Sequence, residues 1–139
     1  GEYRKSLDKA KKALKLLTKQ NQGRNVCRVM QEVKVFIRGW IGCFHVADMK
    51  RTLLSLDEWM RRRFRMYIWK QWKKPRTKVD NLKKLGIPAD RAYQWGNYRL
   101  GYWRIAGSPV LKCSITNERL AAAGYFGILN CYESLHSCG

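Results

Sequence analysis

LLSLDEWMRRRFRMYIWKQWKK, residues 53–74, is the stretch on which the fold turns. Leu53, Leu56, Met60, Phe64 and Tyr67 recur every three or four residues, the spacing of one helix face, with Leu54 and Ile68 beside them. From Arg61 to Lys74 the same helix carries four arginines and three lysines among Phe64, Met66, Tyr67, Ile68, Trp69 and Trp72, and no acid interrupts them. A solvated basic tail has no use for such apolar bulk, and a helix sunk in a core has no use for so much charge. A helix working on two sides satisfies both. Phe64 and Tyr67 anchor it in a core, while the guanidinium groups form an outer ridge with Trp69 alongside. Trp69 and Trp72, near its end, are expected to pack before they stack on anything.

Working outward, residues 5–19 (KSLDKAKKALKLLTK) place Leu7, Ala10, Ala13, Leu14 and Leu17 at helical spacing with lysines opposite. NQGRN (21–25) reads as a helix stop and a new start. Val26, Val29, Met30, Val33, Phe36, Ile37 and Trp40 then mark a second amphipathic helix running to Phe44, in which Gly39 and Gly42 would admit a close neighbour. Asp48 is a candidate cap for the third helix, which ends near Trp72. Three such helices joined by short connections close one core, so residues 1–74 are expected to form a three-helix bundle.

Residues 75–139 are punctuated differently. Pro75 opens a helix that Gly86 closes, and Pro88 opens another ending near Gly96 or Asn97. Ser108-Pro109 and Thr116 are further start signals, and Gly124 is a stop. No segment alternates with period two, so no sheet is expected. The fold class is therefore all-α: a bundle followed by a compact set of short helices. Tyr93, Trp95, Tyr98, Tyr102, Trp103, Val110, Leu111, Ile115 and Leu120 supply the apolar surface that packs this second part on itself and on the bundle.

The charge narrows the function classes. The 139 residues contain 29 Lys and Arg against 10 Asp and Glu, a formal +19. Residues 1–84 carry +17 of it and residues 85–139 only +2. Self-repulsion of this size calls for a polyanionic partner. Between 61 and 84 stand 11 basic residues and the one acid Asp80: Arg61, Arg62, Arg63, Arg65, Lys70, Lys73, Lys74, Arg76, Lys78, Lys83 and Lys84. Guanidinium groups suit bidentate phosphate contacts, and exposed indoles suit base stacking. With Arg38, Arg99 and Arg104 they make up the expected nucleic-acid-binding set. A membrane is not expected as a partner, because the apolar faces are claimed by the bundle and no apolar run reaches a spanning length. No signal peptide is recognised in the sequence.

No catalytic constellation is recognisable. His45 and His136 stand far apart without a nucleophile in a known setting, and the adjacent Asp57 and Glu58 diverge on a helix. Glu58 is expected to pair with Arg61 or Arg62 instead. P-loop and dinucleotide motifs are absent. Five scattered cysteines (Cys27, Cys43, Cys113, Cys131 and Cys138) read as reduced thiols of a cytosolic protein, and Cys131, His136 and Cys138 lack zinc-ligand spacing. Neither a metal site nor a cofactor is expected in this chain.

Five stretches carry a specific resemblance: FIRGWIGCFHVADM (36–49), LDEWMRRRFRMYIWKQWKKPRTK (56–78), NLKKLGI (81–87), GYWRIAGSP (101–109) and TNERLAAAGY (116–125). In this order they resemble the C-terminal part of group II intron-encoded reverse transcriptases. The first two are similar to the maturase-specific thumb, or domain X, and the later ones to the DNA-binding region that follows it. The resemblance implies that residues 1–74 are the thumb and 75–139 the DNA-binding region. It implies intron RNA, template-primer duplex and target DNA as partners, with the parent's palm and fingers as neighbours. The parent would be a magnesium-dependent RNA-directed DNA polymerase in a bacterial cytosol or an organelle, and this chain its non-catalytic part. Rival readings of the same residues are a stand-alone helix-turn-helix DNA-binding regulator and an interaction scaffold.

Overall fold

The computed structural model describes residues 2–19, 23–42 and 49–136, and these form helices joined by turns, with no strand among them. The helices are α1 (Glu2–Leu17), α2 (Val26–Ile41), α3 (Met49–Trp72), α4 (Pro75–Lys84), α5 (Ala89–Gly96), α6 (Tyr102–Ala106), α7 (Pro109–Ser114), α8 (Asn117–Ala123) and α9 (Ile128–His136). The fold is all-α. The candidate cap Asp48 and the expected extension of α2 to Phe44 lie outside the described residues; among those described, α2 stops at Ile41.

The local signals act as the chemistry requires. Asn25 is extended and its side-chain oxygen accepts from the Cys27 and Arg28 amides, starting α2. Ser108 and Thr116 do the same for the Leu111 and Arg119 amides at the starts of α7 and α8. Pro75 occupies the first turn of α4, where its missing N–H costs nothing. Lys73, with φ +53°, makes the sharp corner between α3 and α4. α4 and α5 then fold back as a tight hairpin. A Cβ on Gly96 would strike the Val79 side chain, so glycine sets how closely those two helices approach. At Gly39, by contrast, no atom of the described residues lies within 4 Å of the Cβ position.

α3 is the axis of the molecule. It packs against α2, α4, α6, α8 and α9, and the five consecutive residues Arg63–Tyr67 are all buried, so the helix is enclosed on every side at that turn. Its stripe of Leu53, Leu56, Met60, Phe64 and Tyr67 is at most 1% exposed and meets Leu14, Val29, Met30, Val33, Ile37 and Ile41 from α1 and α2. Leu54, expected beside that stripe, is 49% exposed. The bundle expected of residues 1–74 receives a further helix from the far end of the chain, because α9 lies against both α2 and α3.

α9 is held there by Ile128 and Cys131 in the core and by one buried carboxylate. Asp57 is 2% exposed, and its Oδ1 accepts from the Tyr125 hydroxyl (2.5 Å) and the Ile128 amide (2.6 Å). Its Oδ2 accepts from the Leu129 amide (3.0 Å). Ile128 and Leu129 open α9, so a side chain of α3 supplies the N-terminal cap of a helix some 70 residues later in sequence. Burial and the Asp57 charge together push the Tyr125 phenol well above its ordinary pKa.

The second part departs from expectation at its aromatics. Val110, Leu111, Ile115 and Leu120 are buried, but Tyr93, Tyr98, Tyr102 and Trp103 are 36–68% exposed. Helices this short bury only a narrow stripe. In α5 and α6 that stripe is Ala92, Gly96, Ile105 and Ala106, small or aliphatic residues that leave no depth for a ring.

Candidate nucleic-acid interface

The arginines of α3 divide by what their donors already hold. Arg63 donates from Nε to the Thr18 hydroxyl (3.0 Å) and from Nη2 to the Lys15 carbonyl (3.0 Å), closing the C-terminal end of α1. Arg65 donates from Nε to the Ile115 carbonyl (2.7 Å), just past α7, and from Nη2 to Asn117 Oδ1 (2.7 Å). Arg62 donates from Nε and Nη2 to the Trp103 carbonyl (3.0 and 2.7 Å) and lies 4.1 Å from that residue's ring centroid. The last turn of any helix leaves carbonyls without intrahelical partners, and a guanidinium at a helix C-terminus satisfies them with favourable charge.

Arg63 and Arg65 are 8% and 5% exposed, which separates them from the outward ridge expected of residues 61–65. Burial lowers the pKa of both guanidinium groups, aided at Arg65 by the charge of Arg61, yet an arginine stays protonated. Their main role is internal. Arg65→Ala should therefore cost about 2 kcal/mol, since two hydrogen bonds to a charged donor are lost from a buried setting. Urea denaturation reads this directly, and an unchanged midpoint would return Arg65 to the surface set.

The other expected cations face outward to different degrees. Arg61 is half-buried, 5.8 Å from the Tyr125 ring centroid. Lys70 sits over Tyr102 (5.2 Å). Lys78 is 8% exposed, caught between Trp69 (4.9 Å) and Tyr102 (5.4 Å), and burial lowers its pKa. Lys73, Lys74, Arg76, Lys83 and Lys84 are exposed at the α3–α4 corner and along α4. Arg99 and Arg104 are exposed at the α5–α6 turn and on α6, which itself lies against α3. Arg38 is exposed on α2, on the side that faces Cys131 of α9, and does not join this group.

Trp69 is 1% exposed and tilted against Trp72 (5.8 Å between centroids), so it packs as expected and is not beside an arginine ridge. The aromatic surface next to the cations comes instead from Tyr102 and Trp103. Among the described residues the only ion pair is Arg24–Glu32; Glu58 does not pair with Arg61 or Arg62. No cation of α3, α4 or α6 forms an ion pair among the described residues. Cys27, Cys113 and Cys131 are free thiols, and the described residues contain no cluster able to hold a metal ion.

Spacing along one helix could not have found the opposite wall of this face. Lys112, Thr116 and Asn117 reach Arg62 and Arg65 through tertiary packing across some 50 residues. A comparison with curated proteins returns no match. The family described as the group II intron, maturase-specific domain matches residues 7–86. The match takes in most of α1, all of α2, α3 and α4, and every cation of the α3–α4 corner. It covers more than half of the 139 residues, and the chain belongs to the group II intron maturase-specific domain family.

Proposed function

We propose that this chain is the nucleic-acid-holding part of a group II intron-encoded reverse transcriptase. In this reading residues 1–74 are the thumb that grips intron RNA to assist splicing and holds template-primer duplex. Residues 75–139 contact target DNA during insertion. The polymerase chemistry, with its magnesium, belongs to the parent's palm and fingers, and the free thiols suit a reducing cytosol. The observation that carries the proposal is the set of exposed cations Lys73, Lys74, Arg76, Lys83 and Lys84 at the α3–α4 corner and along α4, none of them in an ion pair among the described residues. Cations without internal partners are available to phosphates, and each contact releases a counterion from the nucleic acid.

The test is a salt titration of binding to a structured intron RNA. Affinity should fall at least about tenfold between roughly 50 and 200 mM salt, and replacing Lys73, Lys74, Lys83 and Lys84 with alanine should flatten that dependence. Salt-independent binding would remove the phosphate grip. Strong preference for one duplex DNA sequence over RNA would favour a regulator, since phosphate contacts carry no sequence information.

A further inference from the structure

Between α3 and the α6–α8 segment runs a cleft of about 700 Å³, and its walls are unlike the α4 face. Arg61, Arg62, Arg65 and Lys112 bring four positive charges to it, against the two carboxylates of Glu58 and Glu118. None of the four is neutralised by an ion pair among the described residues. Trp103 lines the same cleft, 36% exposed, with the Arg62 guanidinium against its ring, and Thr116 and Asn117 add hydroxyl and amide groups. Cations, one part-open indole and a few neutral hydrogen-bonding groups in one concavity match a nucleotide: phosphate, base face and base edge.

The cleft is also built rather than incidental. Arg65 fixes its floor by its bonds to Ile115 and Asn117, and Arg62 is clamped on the Trp103 carbonyl. Gly107 makes the second arrangement possible, because a Cβ there would fall 2.7 Å from Arg62 Cζ. A duplex keeps its bases stacked inside and cannot offer one to such a cleft, whereas a bulge or loop can.

We infer that this cleft receives a single unstacked nucleotide of an RNA bulge or loop, its phosphate on Arg61 and Lys112 and its base against Trp103. The inference rests on the RNA-binding reading above and names the RNA feature that this side of α3 selects. The experiment uses the full chain and two RNA hairpins that differ by one unpaired 2-aminopurine, with free AMP as competitor. The bulged hairpin should bind about tenfold more tightly than the paired one, and its fluorescence should be quenched on binding. Lys112→Ala should erase most of that preference while leaving affinity for the paired hairpin unchanged, and Trp103→Ala should weaken the bulged hairpin far more than the paired one. Both residues are exposed, and thermal melting checks that both variants fold. Gly107→Ala, which evicts Arg62 without removing it, should reduce the preference too.

Equal affinity for the two hairpins, or a preference indifferent to Lys112 and Trp103, would overturn the assignment. Competition by free AMP at concentrations near the hairpin's own Kd would overturn its RNA part and leave a free-nucleotide site. Failure of the wider reading is distinguishable, because then neither hairpin binds.

Discussion

Asp57→Ala should lower the stability of the chain by about 3–5 kcal/mol, because each of two buried donors and one half-buried donor left without an acceptor costs about 1–3 kcal/mol, partly relieved by water. The donors are the Tyr125 hydroxyl and the Ile128 and Leu129 amides. The loss should also be local in character. With its cap gone, α9 should open first, so amide exchange in residues 128–136 should accelerate well before the α2–α3 core follows. Asp57→Asn keeps one carbonyl oxygen and should cost roughly half as much. A urea midpoint for Asp57→Ala within about 0.5 kcal/mol of the parent, the range of an ordinary surface change, would show that the carboxylate is dispensable.

Phe64→Ala is the second large effect. Phe64 is fully buried at the most enclosed turn of α3, and its ring lies 5.6 Å from that of Tyr125 at an interplanar angle of 57°. Deleting it leaves a cavity that helices from both halves of the sequence line, and they cannot all relax into it. The expected cost is about 3–5 kcal/mol. RNA affinity of the remaining folded protein should be unchanged, because Phe64 reaches no surface. A variant that melts normally but binds poorly would contradict this placement.

These two residues show what was legible in the sequence. Phe64 belongs to a periodic stripe, and periodicity reports which face of a helix meets a core. The caps at Asn25, Ser108 and Thr116 and the proline starts at Pro75 and Pro109 were legible for the same reason: each acts within a few residues of itself. Asp57 was not, because its three donors lie about 70 residues away and nothing in the local pattern marks a carboxylate as a cap for a distant helix. Arg63 and Arg65 misled for a related reason. An arginine aimed at solvent and one aimed at an unsatisfied carbonyl look alike until the chain that owns the carbonyl is placed. The exposed tyrosines of α5 and α6 follow from helix length, since a stripe of alanine and glycine admits close packing that excludes rings. The candidate interface was therefore legible as a charge excess at residues 61–84 but not in its division of labour. Lys73, Lys74, Arg76, Lys83 and Lys84 stand exposed, whereas Arg62, Arg63 and Arg65 bind the protein itself.

The cap that Asp57 places on α9 also sets a timetable. On a ribosome, α3 is completed about 50 residues before residues 125–129 are made, and at about 5–20 residues per second that delay is several seconds. Throughout it, the groove between α2 and α3 is open and apolar, and the Asp57 carboxylate is hydrated. The last helix therefore acts as a latch, and a nascent chain stalled before Tyr125 presents a half-finished core to whatever chaperone or partner segment is nearby.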